Sequence, residues 1–478
     1  MRLGQTSVVY VVSKVLSSVI GFLATVYFTR TLGEEIYGFY AITIALVSWL
    51  GIVKSVGFGK AIVKRMSEEE ESEAYLTAGT IIKGILTIFV SLGVLLFREH
   101  VNEYIGVPVA EFVILLLIAT IFSDLVNSAL KGSHRVHVYA PLSTFKEAAR
   151  SILMVGLVYI GWELSGMLVG HAIGTVVMAT IGLVIVRPNL TVPDWGHIVS
   201  LFDFAKYSWL GKMRGRTFND IDILILGFFV PVGLTGIYAI AYSLSKFLEI
   251  FGKGIQNTLF PEISRLSTRA DQEMIATLTQ DALSFAGLFL IPGVVGAALL
   301  GDRLMLVYGP GFDIGHRVLV ILIAGLFVYT YTRQLLNTLN AIDRPDLAFR
   351  ANGAFIVANI VLNVFFVWQF GWIGAAVATA LSATIGLAFA FHYTRRLIDF
   401  TVPYGEIGRQ WVAALLMGGV VYGARAVGEE TAVAAYNEVF VVLLVTLGAG
   451  VYFLTYLAIS TTFRDTVRRN LPVDVPGL

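Results

Sequence analysis

The segment LGEEIYGFYAI at residues 32–42 recurs as VPVGLTGIYAI at residues 230–240. Each copy leads into an apolar run that closes with a polar end, Lys64-Arg65-Met66-Ser67 in the first case and Ser264-Arg265-Leu266-Ser267 in the second. Later glycine patterns keep the same offset of about 200 residues. This offset corresponds to six helices. An even number of spans per repeat makes the two halves parallel, related by an axis along the membrane normal.

The composition requires a bilayer as solvent. The chain has 478 residues, of which 56% are hydrophobic and 14% charged, against about 25% charged residues in soluble proteins. With about 20 apolar residues per span, we predict about fourteen helices. Their approximate limits are 6–30, 36–57, 77–97, 109–130, 146–163, 165–187, 205–229, 233–257, 281–301, 316–341, 350–371, 373–394, 408–427 and 438–461.

The predicted fold is an all-α polytopic membrane protein with two parallel six-helix lobes around a central cavity. The N-lobe covers residues 1–190, a cytoplasmic linker covers 191–204, and the C-lobe covers 205–397. Residues 398–478 add helices thirteen and fourteen and a cytoplasmic tail. Lys and Arg concentrate in the loops of one side, which predicts a plasma-membrane protein with both termini in the cytoplasm.

Several function classes are disfavoured. The formal net charge of +1 argues against a nucleic-acid partner, and the absence of cysteine removes thiol nucleophiles and Cys-ligated metals. We find no metalloprotease, nucleophile-elbow or phosphate-loop signature. The sequence therefore predicts a non-enzyme with no metal and no organic cofactor.

A polar stripe follows one face of the predicted helix 233–257. Its members recur every three or four residues, so they share one face of a helix. Ionisable residues inside a membrane indicate a functional site. The members are Tyr238, Tyr242, Ser245, Lys246, Glu249, Lys253 and Gln256. Lys253 lies near the helix end, where snorkelling to the interface is an equal alternative.

Other membrane helices carry deep cations. They are Lys14 in helix one, Lys212 and Arg216 in helix seven, and Arg333 in helix ten. A cavity lined with cations suits an anion, because ammonium and guanidinium groups replace the water that a phosphate loses. Tyr238 and Tyr242 would stack on sugar rings, or they are ordinary helix residues.

The carboxylates are fewer: Asp124, Asp222 and Glu249. Glu249 is spaced to neutralise Lys246 and Lys253 within one helix. The alternative is that one of the three binds H⁺ or Na⁺ and couples transport to an ion gradient. Both roles remain open at this point.

Four motifs resemble those of a known family. Leu32–Gly38 is similar to its LG-x-x-x-[YF]-G element at the start of helix two, and Gly236-Ile237-Tyr238 to its [VT]-G-x-Y element. Leu259–Ser264 and Tyr308–Phe312 resemble its [LF]-F-P-x-[LI]-[AS] and [FY]-G-x-x-[FY] elements. In order and spacing they resemble the Wzx-type polysaccharide transporters of the multidrug/oligosaccharidyl-lipid/polysaccharide exporter superfamily, over essentially the whole chain.

The resemblance implies a flippase that moves a polyprenyl-phosphate- or diphosphate-linked oligosaccharide from the cytoplasmic to the outer leaflet, as a monomer working beside glycosyltransferases or a polymerase. It also implies a cationic cavity, to which Lys14, Lys212, Lys246, Lys253 and Arg333 are carried over. A MATE-like multidrug antiporter is one alternative, although that class would place a carboxylate where this chain has Lys14. A peptidoglycan-precursor flippase and a non-transporting membrane scaffold are the others.

Overall fold

The computed structural model describes residues 3–55, 57–68, 71–189, 191–249, 263–266 and 272–470. Within these ranges it describes only the backbone at 3–15, 54–55, 136–137, 140, 206–219 and 469–470. The secondary structure of the described residues is helical throughout, with turns and no strand. The chain divides into two compact units, Met1–Gly236 and Ile237–Leu478.

The first unit contains eight helices and the beginning of a ninth. Helix α1 packs on α6 and α8, α7 packs on α6 and α5, and α2 packs on α3, α5 and α8. The helices are α1 (Leu3–Ser55), α2 (Phe58–Glu68), α3 (Ser72–Leu96), α4 (Arg98–Ile105), α5 (Ala110–Gly132), α6 (Val136–Tyr159), α7 (Glu163–Val186), α8 (Trp195–Phe229) and α9 (Val232–Phe247), which continues into the second unit.

The second unit is built around α12, which packs on α11 and α13, while α14 packs on α11 and α15. Short 3₁₀ turns at Phe312–Gly315 and Ala432–Ala435 precede α12 and α15. The helices are α10 (Gln272–Ala286), α11 (Leu290–Leu306), α12 (His316–Ala341), α13 (Pro345–Leu397), α14 (Tyr404–Glu429), α15 (Asn437–Ile459) and α16 (Thr461–Asn470).

Glycines kink the two longest helices. Helix α1 bends at Gly33, with φ 79°, and α13 bends at Gly371, with φ 61°. Positive φ is readily adopted only by glycine, so each kink is encoded locally. The kinks separate the predicted spans 6–30 and 36–57, and 350–371 and 373–394. The repeat motif therefore begins at a helix break, as the sequence predicts.

Nine helical segments among the described residues are long and apolar enough to cross a bilayer. Two of them, Leu16–Val53 and Pro345–Leu397, contain the kinks and so each cover two predicted spans. On α3, Ile85 is 61% exposed and Phe89 71%. Soluble proteins rarely expose such apolar stripes. The protein is therefore a multi-pass membrane protein, while the count of about fourteen helices stays a prediction.

Helix α6 differs from its predicted limits. The sequence predicts a span at 146–163, with Lys146 and Arg150 at its cytoplasmic end. The structure instead begins the helix at Val136, so both cations lie inside it. Pro141 lies in its second turn, past the first turn in which proline costs no helical hydrogen bond. The proline and the charges are therefore the reason why the sequence predicts a later start.

The predicted lobe boundaries at 190, 205 and 397 stay predictions. Helix α8, which the sequence assigns to the second lobe, packs against α1, α2 and α3 of the first unit. The division between the two compact units falls inside α9, between Gly236 and Ile237.

Candidate functional site

Two tyrosines and a lysine line one face of α9 in the second unit. Tyr238 is fully buried and Tyr242 is 9% exposed. Their rings lie one turn apart, nearly parallel at 10°, with centroids 6.5 Å apart. The ammonium of Lys246 lies 4.8 Å from the centre of the Tyr242 ring, a cation–π distance. These three members of the predicted stripe therefore lie side by side on one face of α9, two of them aromatic and one cationic.

Glu249 and Arg333 form a buried ion pair within the second unit. The guanidinium of Arg333, on α12, donates to Glu249 Oε1. Arg333 is 6% exposed and Glu249 4%. The sequence suggested that Glu249 neutralises Lys246 and Lys253, which stays a prediction because Lys253 lies outside the described residues. Arg333 is a partner that the sequence did not predict. Helical spacing predicts only neighbours within one helix, so it could not predict a partner on another helix.

The first unit holds another buried pair. Lys83 Nζ on α3 lies 3.4 Å from Asp124 Oδ2 on α5. The side chain of Lys83 is 7% exposed and that of Asp124 35%. Sequence reasoning singled out Asp124 but missed Lys83, although a lysine in the middle of the apolar α3 was the available signal. Asp222, on α8, is 3% exposed.

Four predicted cations have side chains outside the described part of the protein. Lys14, Lys212 and Arg216 lie in α1 and α8, but their side chains are outside the described part of the chain. Lys253 lies outside the described residues altogether. Their predicted contact with substrate therefore stays a prediction.

A polar network joins α1, α6 and α7 inside the first unit. Arg150 pairs with Glu147 at 2.5 Å and approaches His171 Nε2 at 3.4 Å. His171 Nδ1 lies 3.0 Å from the Tyr40 hydroxyl. On the same helix, Lys146 Nζ donates to Ser123 Oγ at 3.4 Å. The sequence treated Lys146 and Arg150 as loop charges and therefore missed this network.

Asparagines pin the two halves of α13 together. Asn359 Nδ2 donates to Thr379 Oγ1 at 3.4 Å, across the Gly371 kink. Asn363 Nδ2 donates to the Asn359 carbonyl at 3.0 Å. Both asparagines are fully buried. Their side-chain oxygens have no hydrogen-bond partner in the described part of the protein.

A second buried carboxylate ties the last membrane helices together. Glu406 on α14 accepts hydrogen bonds from Tyr456, at 2.6 Å, and from Ser460. Arg409 donates to its other oxygen at 2.8 Å. Gln410 adds bonds to the Ser284 carbonyl at 2.7 Å and to the Tyr456 hydroxyl at 3.1 Å. This cluster is structural and lies apart from the α9 stripe in sequence.

Asp194 caps α8. Its carboxylate accepts from the backbone N–H of His197 at 2.9 Å. This bond, and then the bond to the His197 side chain, hold the pKa of Asp194 below its usual range. The other ring nitrogen of His197 lies 2.8 Å from Glu71 Oε2. The predicted linker is thereby fixed to the start of α3.

The fold matches that of a solved membrane protein. A solved structure of the lipid II flippase MurJ, in an inward closed conformation, matches 96% of this chain and 100% of its own length with a TM-score of 0.80. The identity is 18%, so the match speaks for the fold alone.

The sequence comparison identifies the family. Residues 3–267 match the family "Polysaccharide biosynthesis protein", more than half of the chain, and the protein belongs to that family. Residues 218–442 also match "Lipid II flippase MurJ". The probable flippase AglR of Haloferax volcanii is 29% identical over 98% of both chains. The probable low-salt glycan biosynthesis flippase Agl15 of the same organism is 28% identical over 100% of both.

Proposed function

We propose that the protein is a flippase that moves a polyprenyl-phosphate- or diphosphate-linked oligosaccharide from the cytoplasmic to the outer leaflet by alternating access. The product serves cell-surface polysaccharide or glycan export. The observation that carries the proposal is the face of α9 on which the buried Tyr238 and Tyr242 lie beside the partly buried Lys246, together with the buried Arg333. These cationic and aromatic side chains lie inside an otherwise apolar membrane protein. The flippase relatives that match the chain from end to end support it.

The physical mechanism follows from this surface. A phosphate that leaves water loses its hydration, and Lys246 and Arg333 offer charge-assisted hydrogen bonds in its place. The stacked tyrosines offer flat faces to sugar rings. The polyprenyl tail stays in lipid. Release occurs in the outward-open state, because water again hydrates the headgroup there and the headgroup makes fewer contacts with the cations.

We propose fourteen membrane helices, arranged as two parallel six-helix lobes and two further helices, with both termini in the cytoplasm of a plasma-membrane protein. Reciprocal contacts between the repeat copies support the repeat. A Cβ added to Gly38 would lie 2.2 Å from the Val232 carbonyl, and one added to Gly236 would lie 2.1 Å from the Glu34 carbonyl. These four positions are related by one sequence offset, as a two-fold relation requires.

Two alternatives stay within the same superfamily. A MATE-like antiporter of cationic drugs is disfavoured by the cations of the α9 stripe. A flippase of the peptidoglycan precursor carries the same phosphate chemistry, and the match of residues 218–442 to MurJ supports it. The end-to-end match to glycan-pathway flippases favours the oligosaccharide. We further propose that the protein acts as a monomer beside glycosyltransferases or a polymerase and performs no bond chemistry itself.

We propose coupling to Na⁺ rather than to H⁺. The buried side-chain oxygens of Asn359 and Asn363, which have no hydrogen-bond partner in the described part of the protein, support this choice. Neutral oxygen donors can coordinate a hard cation, but an amide does not titrate. Replacing Na⁺ by choline at constant pH should stop net transport. If transport follows a pH gradient instead, the coupling ion is H⁺, and Asp124, Asp222 or Glu249 is the residue that binds it.

The function is tested in proteoliposomes with a fluorescent polyprenyl-diphosphate-linked sugar, whose leaflet is read by a membrane-impermeant quencher. Lys246→Ala and Arg333→Ala should slow flipping about tenfold or more, since one charge-assisted hydrogen bond contributes ~1.5–3 kcal/mol. Lys60→Ala, at an exposed position on α2, is the matched control. Wild-type rates in both stripe variants would refute the proposed site, and an inactive wild type would refute the function.

A further inference from the structure

Helix α6 carries three charges well inside its length. Lys146, Glu147 and Arg150 occupy the middle of a 24-residue helix. At 1.5 Å per residue, Arg150 lies ~21 Å from the start of the helix. All three side chains are only partly buried. A partly buried charge requires a polar partner or water, so the surroundings of each one matter.

The two faces of α6 are distinct. Phe145 and Ile152, two turns apart on one side, are 58% and 61% exposed, as residues in contact with lipid would be. Lys146 and Arg150, at i and i+4, share the other side and are neighbours on the helix surface. Helix α7 packs there so closely that a Cβ added to Gly174 would lie 2.6 Å from the Arg150 Cα. The charges are therefore turned away from lipid.

The guanidinium of Arg150 is held in place by its neighbours. Glu147 Oε2 lies 2.5 Å from it. A guanidinium only donates, so His171 Nε2, at 3.4 Å, accepts. The His171 proton then lies on Nδ1, which donates to the Tyr40 hydroxyl at 3.0 Å. Arg150 is thus oriented from α1, α6 and α7 without being fully enclosed, because its side chain is 29% exposed.

Lys146 has no carboxylate within ion-pair distance among the described residues. Glu147, its neighbour in sequence, is paired with Arg150. The Lys146 ammonium instead donates to the Ser123 hydroxyl at 3.4 Å. A hydroxyl is neutral, so no described carboxylate compensates the charge of Lys146, and this ammonium is suited to bind an anion.

We propose that Lys146 and Arg150 form a second phosphoryl-binding site, contributed by the first unit, for the phosphate or diphosphate of an isoprenoid lipid. The inference rests on the proposed function and adds residues to it. Lys146 supplies a compact point charge, and Arg150 supplies a planar pair of donors that suits phosphoryl oxygens. Glu147 competes with the anion for Arg150, so Arg150 stays paired with Glu147 until a phosphate replaces the carboxylate.

The test is the binding of farnesyl diphosphate to the full chain in nanodiscs, measured by the change in tryptophan fluorescence. Lys146→Met should raise Kd at least about fivefold, while Lys146→Arg should stay within about twofold of wild type, since the charge is kept. Lys131→Met is the matched control: this lysine is exposed and lies over the Tyr139 ring. Glu147→Gln should lower Kd, because it removes the competing carboxylate. A purely structural role predicts the opposite sign.

The outcomes separate this site from the proposed function. Unchanged binding in Lys146→Met, or weaker binding in Glu147→Gln, overturns the site. If Lys146→Met does not fold, Lys146→Arg and Glu147→Gln decide the question. Inorganic pyrophosphate should bind more weakly than farnesyl diphosphate, and equal binding would overturn the lipid assignment in favour of a free phosphate. A wild type that flips lipid-linked sugar while Lys146→Met flips equally well refutes this inference and leaves the function standing.

Discussion

At the residue scale, the decisive feature is a charged pair inside the second unit. Arg333 and Glu249 are both more than nine-tenths buried and bonded to each other. Removing one partner of such a pair leaves a buried charge without compensation, which costs about 3–5 kcal/mol. Replacing both by apolar residues often costs little. The pair therefore allows stability and function to be separated.

Arg333→Met should lower the Tm of the purified protein markedly, and Glu249→Leu/Arg333→Met should restore it. Flipping should stay lost in both, because the double variant recovers packing but not the cation that binds phosphate. The matched control is Arg344→Met, which breaks an exposed pair with Asp346 and should change Tm little. A double variant that flips at the wild-type rate would make the pair structural only.

The limits of sequence reasoning are also visible at single residues. Tyr238, Tyr242 and Lys246 could be grouped on one face because helical periodicity is local. The partner of Glu249 could not be predicted, because Arg333 is 84 residues away in sequence and no periodicity reports such a distance. Arg150 was missed for a related reason, because a cation near a predicted helix end is interpreted as a loop charge until the helix is known to extend past it. Lys83 was missed although it lies inside the predicted span 77–97.

At the element scale, glycine spacing sets how closely α6 and α7 approach. Gly166, Gly170 and Gly174 fall at four-residue intervals, the small-residue pattern that lets membrane helices meet backbone to backbone. A Cβ added to Gly170 would lie 2.7 Å from the Met154 Cα. This approach also positions Arg150. Gly166 and Gly170 belong to the later glycine patterns that mark the repeat in the sequence.

Gly170→Ala should destabilise the protein, because the new methyl group meets backbone that cannot rotate away, and overpacking typically costs ~1–3 kcal/mol. Gly93→Ala on α3 is the matched control. Nothing lies within 4 Å of a Cβ at that position, and alanine is the better helix former by ~1 kcal/mol. The two variants should therefore shift Tm in opposite directions. Equal shifts would remove the close contact as the explanation.

The cap of α8 makes a pH-dependent contribution. The pKa of Asp194 is lowered in the folded protein by the backbone N–H of His197 and by its side chain. A carboxyl group with a lowered pKa stabilises the fold above its unfolded pKa of about 3.9, and that stabilisation is lost as pH falls towards the folded value. Asp194→Ala should lower Tm at pH 7, and the difference from wild type should shrink below pH 4. A difference that does not change with pH would contradict the assignment.

At the scale of the whole molecule, most helices were predictable and the division into two compact units was not. Bilayer thickness sets the length of a span, and glycines with positive φ mark the kinks, so most helices follow from local sequence. The start of α6 and the packing of α8 within the first unit depend on contacts across the chain. The two reciprocal glycine–carbonyl contacts between the repeat copies join the two levels, since the sequence predicts the copies and only the structure shows that they touch.

These contacts give alternating access a direct test. Within the first unit, a Cβ added to Gly233 would lie 3.1 Å from the Glu34 Cγ. The Sγ of a cysteine at position 34 would take the place of that Cγ, so a disulfide between the two positions is within reach. The natural chain has no cysteine, so Glu34→Cys/Gly233→Cys introduces a single possible bond. If the repeat copies separate during transport, oxidation should stop flipping and a reductant should restore it. Each single-cysteine variant should flip equally with and without oxidant. If the cross-linked protein flips as fast as the same variant after treatment with reductant, the repeat copies move together. The rocking of one half against the other would then have to occur elsewhere.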